Sequence, residues 1–206
     1  MRSSHFRVRA GPLAIILAAL VLAACGAGGR DAARSGPSLP RDAFWAAVRQ
    51  LCGNAYGGSV AESVPPDTMM SRSLLVMHVR ECSDDTIRIP FHVGENRSRT
   101  WVLTRTETGL RLKHDHRHED GSEDSVTQYG GDTREEGSAA RQEFHADSLT
   151  ALLIPAARTN VWTIELAPGG RFVYALRREG TERRFRAEFD LARPVAAPPP
   201  PWGANR

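Results

Sequence analysis

From Leu74 to Leu191 apolar residues recur at nearly every second position, and that period decides what the chain can build. Successive side chains of an extended strand point to opposite faces, so a two-residue period gives each segment one buried and one wet face. Ile87, Ile89, Phe91 and Val93 share one face while Thr86, Arg88 and His92 take the other. Trp101 and Leu103 alternate with Thr100, Val102 and Thr104. Trp162, Ile164 and Leu166 face Phe172, Tyr174 and Leu176 across Pro168-Gly169-Gly170, and Phe185, Ala187, Phe189 and Leu191 alternate with Arg184, Arg186, Glu188 and Asp190. Short turns at Gly94-Glu95-Asn96, Glu107-Thr108-Gly109, Asp120-Gly121 and Glu179-Gly180 divide the segments, the signature of antiparallel hairpins in sequence order. The pattern predicts nine strands, with Ser59 to Glu62 as a tenth. The expected fold is mainly β, a single antiparallel meander β-barrel, because closure removes the two edges an open sheet would expose.

A short N-terminal helix is predicted from Ala43 to about Leu51, capped by Asp42, with Phe44, Val48 and Leu51 on one stripe. It precedes the sheet and is placed to plug one end of a barrel. One short internal helix is predicted from Leu149 to Ile154 behind Asp147 or Ser148, and Pro65-Pro66-Asp67 reads as a break. The order of elements from Asp42 to Leu191 resembles that of lipocalin and calycin barrels, although Tyr56-Gly57-Gly58 stands where that family has Gly-x-Trp. The resemblance implies an interior that takes a small apolar ligand. A two-sheet sandwich or an open half-barrel would show the same alternation.

The chain ends set the compartment. Arg2, Arg7 and Arg9 precede an apolar run from Leu13 to Ala24, twelve residues against the ~20 needed to span a bilayer, so residues 1–24 read as a signal peptide. The run closes on Leu22-Ala23-Ala24-Cys25, which resembles the lipobox of bacterial lipoprotein precursors. That resemblance implies cleavage before Cys25, lipid on its sulfur and a membrane as partner. Gly26 follows where the family's inner-membrane retention signal is an aspartate, which implies the outer membrane, facing the periplasm or the cell surface. Residues 25–40, rich in Gly, Ala, Ser and Pro, form the predicted tether; residues 41–193 form the barrel domain, and the proline-rich residues 194–206 are expected to be an unstructured tail.

Charge excludes one class of partner. The 27 Lys and Arg face 24 Asp and Glu, and three arginines leave with the signal, so 24 balance 24 in the mature chain. Nothing in that balance supports nucleic-acid binding. With Cys25 lipidated, Cys52 and Cys82 remain as a pair, and an oxidising compartment predicts a disulfide between them.

The densest chemistry lies in Leu110 to Gly131. Leu110, Leu112, His114, His116 and His118 share one strand face, and Arg111, Lys113, Asp115 and Arg117 the other, so burying the even face keeps four charges out of the core. Exposure should rise from Leu110 toward the acidic turn after His118. Histidines two apart stand about 6.6 Å apart along a strand, close enough for both rings to reach one zinc-like ion, with His114, Glu123 or His78 as further donors. His116, His118, Glu123 and Gly130 resemble the first motif of cupins, which bind a metal inside a barrel; no second cupin motif follows. The other reading is a histidine-rich strand end at a wet barrel mouth, balanced by Glu119, Asp120 and Asp124. His92 and His145 are expected to face outward.

No phosphate-binding glycine loop, nucleophile elbow, HExxH or dinucleotide fingerprint occurs. Two functions remain: a tethered envelope barrel that holds a small ligand or serves structurally, and a metal-binding protein or metal-dependent enzyme built on His114, His116, His118 and Glu123.

Overall fold

The structure, a computed structural model, describes residues 39–204. The predicted signal peptide, Cys25 and the tether up to residue 38 lie outside the described residues. The described chain forms strands β1 (Ala55–Val64), β2 (Leu75–His78), β3 (Glu81–Cys82), β4 (Thr86–Val93), β5 (Asn96–Arg105), β6 (Leu110–His116), β7 (Tyr129–Asp132), β8 (Arg141–Ala146), β9 (Asn160–Ala167), β10 (Arg171–Arg178) and β11 (Arg184–Val195). Neighbours pair antiparallel in the order β2-β1-β11-β10-β9-β8-β7-β6-β5-β4, and β2 pairs again with β4, so among the described residues ten strands close into a barrel. The two-residue β3 merely extends β4. The expected meander is observed, and the tenth strand at 59–62 is part of the longer β1.

The two barrel ends differ because of what the sequence places there. Helix α1 (Pro40–Arg49) packs at the end where β1 and β6 begin and β5 finishes, burying Phe44, Trp45 and Val48. Its start lies before the predicted cap: Pro40 opens the helix, where a missing N–H costs nothing, and Asp42 sits in the first turn. There Asp42 pairs with Arg105, whose guanidinium also lies 5.5 Å from the Trp45 ring centroid, tying the plug to β5. At the other end the connections include α2 (Thr68–Arg72), α3 (Ser148–Leu153) and a 3-10 turn at Pro155–Ala157. The sequence reading has the internal α3 but not α2, whose start is capped by Asp67 accepting from the Met70 N–H at 2.9 Å. α3 is capped by Asp147, as expected, and its buried Thr150 exchanges two 2.7 Å hydrogen bonds with the backbone of Gly130. Gly130 has φ 151°, and a side chain there would collide with the backbone of Leu112 on the neighbouring strand.

The core is aromatic. Trp101 stacks between Phe91 at 4.7 Å and Tyr174 at 4.3 Å between ring centroids, while Phe172 and Phe189 close around it. Each such side chain removed from water stabilises the fold by roughly 1.5–3 kcal/mol.

The tail does not behave as expected. β11 runs on through Pro194 and Val195, which pair with Tyr56 and Ala55 of β1. Beyond it, Arg97 donates to the Pro200 carbonyl at 3.2 Å and the Trp202 N–H to the Arg97 carbonyl at 3.2 Å, so residues 200–202 lie against the outside of the barrel. Proline lacks an N–H but keeps its carbonyl, and at a strand end that suffices. The tail covers Asp115, which points outward as its parity requires yet is only 3% exposed, paired with Arg88 at 2.6 Å and Arg117 at 2.9 Å.

Cys52 and Cys82 form the expected disulfide, joining the chain just after α1 to β3. Because it closes a loop across 30 residues, the Cys52→Ser, Cys82→Ser double variant is expected to lose about 3 kcal/mol in urea unfolding; a loss below 1 kcal/mol would contradict its role as a staple.

Candidate functional site

At the end opposite α1 the barrel opens into a cavity of about 510 Å³. Its size is that of a small-molecule site, for which about 300–1,000 Å³ is usual. The wall is made by inward residues of successive strands: Phe91, Trp101, Trp162, Tyr174, Leu176 and Phe185, with Tyr129 beside them. Met69 and Met70 of α2, Pro65, Pro66 and Ile154 form an apolar lip. Arginines stand at the same mouth: Arg99, Arg178, Arg183 and Arg184, against Asp67 as the acidic lining residue.

His114 lies at the inner end of the polar part. Its Nδ1 is 3.1 Å from the Tyr129 carbonyl and its Nε2 is 2.7 Å from the Tyr174 hydroxyl. A carbonyl can only accept, so Nδ1 carries the proton, Nε2 accepts from Tyr174, and the ring is neutral. Burial pushes its pKa down to about 3, against a smaller upward effect of the hydrogen bond to Tyr129. The ring stacks on Tyr129 at 4.6 Å. His116, one step nearer the mouth, lies 3.1 Å from the Tyr129 hydroxyl; burial lowers its pKa, and the charge of Arg99, its register partner on β5, lowers it further. Burial also pushes the Tyr129 hydroxyl up to about 12. The chain Tyr174, His114, Tyr129 and His116 is thus a set of neutral groups that satisfy one another.

The predicted gradient of exposure is observed: Leu110, Leu112 and His114 are buried, His116 is half-buried and His118 is exposed. The proposed metal set is not brought together. His114 and His116 face the cavity, but His118 lies in the loop beyond the strand, its N–H bonded to the Ser122 carbonyl at 2.9 Å. Glu123 is held at 3.0 Å by Arg117, whose other partner is the outward Asp115. Parity explains the outcome: pairing with Arg117 commits Glu123 to the opposite side of the sheet from the imidazoles. Among the described residues no group of three or more His, Cys, Asp and Glu is arranged to hold a metal ion. The suggested donor His78 shares the parity of Val76, which faces His92 across the seam, so it lies outside the barrel. His92 has the outward parity expected but is 3% exposed, and its Nε2 has no hydrogen-bond partner among the described residues.

Sequence reasoning missed the arginines. Arg99 shares the parity of Trp101 and Leu103, and Arg178 that of Tyr174 and Leu176, so both point inward at strand ends. An arginine on an otherwise apolar parity was the available signal. Arg178 Nε donates to Asn160 at 2.9 Å, and burial followed by the charge of Arg183 lowers its pKa.

The histidines make stability depend on pH in a determined direction. His78, His92, His114, His116 and His145 all have pKa values lowered by burial, His92 to about 4 and His114 to about 3. The unfolded chain therefore binds more protons below its ordinary histidine pKa of ~6.5, and the stabilisation present above that pH is lost as pH falls toward the folded values. Urea unfolding is expected to show a falling midpoint from pH 6.5 to pH 4. His92→Phe should flatten that slope by about 1.4 kcal/mol per pH unit; an unchanged slope would refute the assignment.

No protein-family model, no curated protein and no solved structure matches this chain.

Proposed function

We propose that this protein is a lipid-anchored barrel of the bacterial envelope that holds a small ligand with a large apolar part in its open end. The observation that carries the reading is the 510 Å³ cavity with its aromatic wall. A purely structural barrel would fill that volume with side chains, as this chain does at the opposite end with Phe44, Trp45 and Val48. A barrel with one end plugged and one open is the arrangement by which lipocalin-like proteins take up apolar molecules, and the closed antiparallel barrel is compatible with that fold. The Leu22-Ala23-Ala24-Cys25 sequence supports the anchor, and the Cys52–Cys82 disulfide is consistent with an oxidising compartment outside the cytoplasm. Gly26 after the cysteine favours the outer membrane.

Two measurements test the proposal. Labelled palmitate should enter the wild-type chain in a bacterial host and not Cys25→Ser; equal labelling removes the anchor. The Cys25→Ser chain, free of detergent that would compete for the cavity, should bind the uncharged probe N-phenyl-1-naphthylamine at one saturable site with enhanced fluorescence. Leu176→Trp, which places a larger ring on the cavity wall, should weaken that binding at least tenfold while melting near the parent temperature. Unsaturable binding, or full affinity in Leu176→Trp, would exclude the cavity as the site.

A further inference from the structure

The geometry points to an amphipathic anion as the ligand: an apolar body against the aromatic wall and a carboxylate or phosphate at the mouth, held by Arg99 and Arg178 with Arg183 beside them. This assignment rests on the cavity being a ligand site and concerns the chemistry of what fills it.

Arg99 and Arg178 are inward residues of β5 and β10, half-buried just above the rings that form the well. A guanidinium in that setting normally finds a carboxylate, because a partly desolvated cation without one is costly. On the outside of this barrel most arginines keep the rule: Arg88 and Arg117 meet Asp115, Arg111 meets Asp132, Arg141 and Arg177 meet Glu143, and Arg186 meets Glu188, while Arg41 and Arg97 donate to backbone carbonyls instead. Among the described residues neither Arg99, Arg178 nor Arg183 has a carboxylate within ion-pair distance. Arg99 spends one nitrogen on Asn96 at 3.0 Å and Ser98 at 3.3 Å, and Arg178 spends Nε on Asn160, so most of their donors stay unused. The fourth arginine, Arg184, is already paired with Glu62 and Glu182, and Asp67 is occupied as the cap of α2. The mouth is therefore a local excess of positive charge on a chain whose predicted mature form is balanced. Burial and, after it, the charge of Arg183 lower the Arg178 pKa, an unfavourable setting that an anion beside Arg178 would relieve. The neutral imidazoles of His114 and His116 below add no charge, so the polarity along the cavity axis is cationic at the rim and apolar beneath. A rod-like molecule with one charged end fits that gradient in one orientation, apolar end first.

The test uses two probes with nearly the same rings, 8-anilino-1-naphthalenesulfonate and the uncharged N-phenyl-1-naphthylamine, on the detergent-free Cys25→Ser chain. The sulfonate probe is expected to bind about tenfold or more tightly, a preference of the size that charge-assisted hydrogen bonds give. The preference should vanish in Arg99→Gln, Arg178→Gln. Arg183→Gln, in an exposed turn where folding is not at stake, should reduce it severalfold. Competition by dodecanoate and by dodecyl phosphate, with dodecanol as the uncharged control, then tells carboxylate from phosphate recognition; both anions should displace the probe better than the alcohol. Saturable binding of the uncharged probe with no preference for the sulfonate, or displacement by dodecanol as strong as by dodecanoate, overturns the anion assignment and leaves the cavity reading standing. Binding of neither probe overturns both.

Discussion

The barrel closes through a seam of three residue pairs between β2 and β4, Leu75 with Val93, Val76 with His92 and Met77 with Phe91, and everything inside depends on it. The remaining ladders are hairpins between sequence neighbours or the long β1–β11 pairing; β2 alone has to lie between β1 and β4. An open sheet with these faces would leave two edges of unpaired N–H and C=O groups and would put the aromatic stack in water. Reinforcement is concentrated at the seam. The disulfide links Cys52, between α1 and β1, to the strand lying on β4, and α1 plugs the same end. The segment after β11 passes from the β1 edge to Arg97 on β5, strapping the outside of the three-pair seam.

Once closed, the interior is graded along its axis. The plugged end is packed with buried aliphatic and aromatic side chains, Phe44, Trp45 and Val48 among them. Toward the mouth the inward positions pass to His114, His116, Tyr129, Asn160, Arg99 and Arg178, groups that need partners. The buried ones find each other: the Tyr174 hydroxyl serves His114, and the Tyr129 carbonyl fixes the tautomer. That network explains a histidine at a core position without recourse to a metal, because a neutral imidazole with both nitrogens bonded fills space and satisfies its neighbours. The rim arginines are different, since a guanidinium cannot shed its charge to suit its surroundings.

The two faces of the β4–β5–β6 sheet show one charge handled in two ways. Outside, Asp115 is covered by the tail but balanced by two arginines. Inside, Arg99 on β5, like Arg178 on β10, has no acid in ion-pair distance among the described residues. Balanced burial is structural; imbalance left facing a void is what a charged ligand would correct.

Much of this was legible in the sequence. Strand parity along Leu110–His116, the hairpin order, the tenth strand and the capped α3 follow from local rules, since period two, turn residues and parity act over a few residues at a time; the cysteine pairing follows instead from the even count of remaining cysteines and the compartment. What tertiary structure alone decided concerns which residues meet across long separations. Glu123 turned to Arg117 instead of the histidines because the loop bends it onto the outer face. Pro194 and Val195 joined β1 because barrel closure brought an edge to them. Arg99 and Arg178 became neighbours of one cavity because strands β5 and β10, far apart in sequence, face each other across a closed ring. A charge pattern in sequence states what a residue carries; only the closed ring determines whether anything of opposite sign stands in front of it.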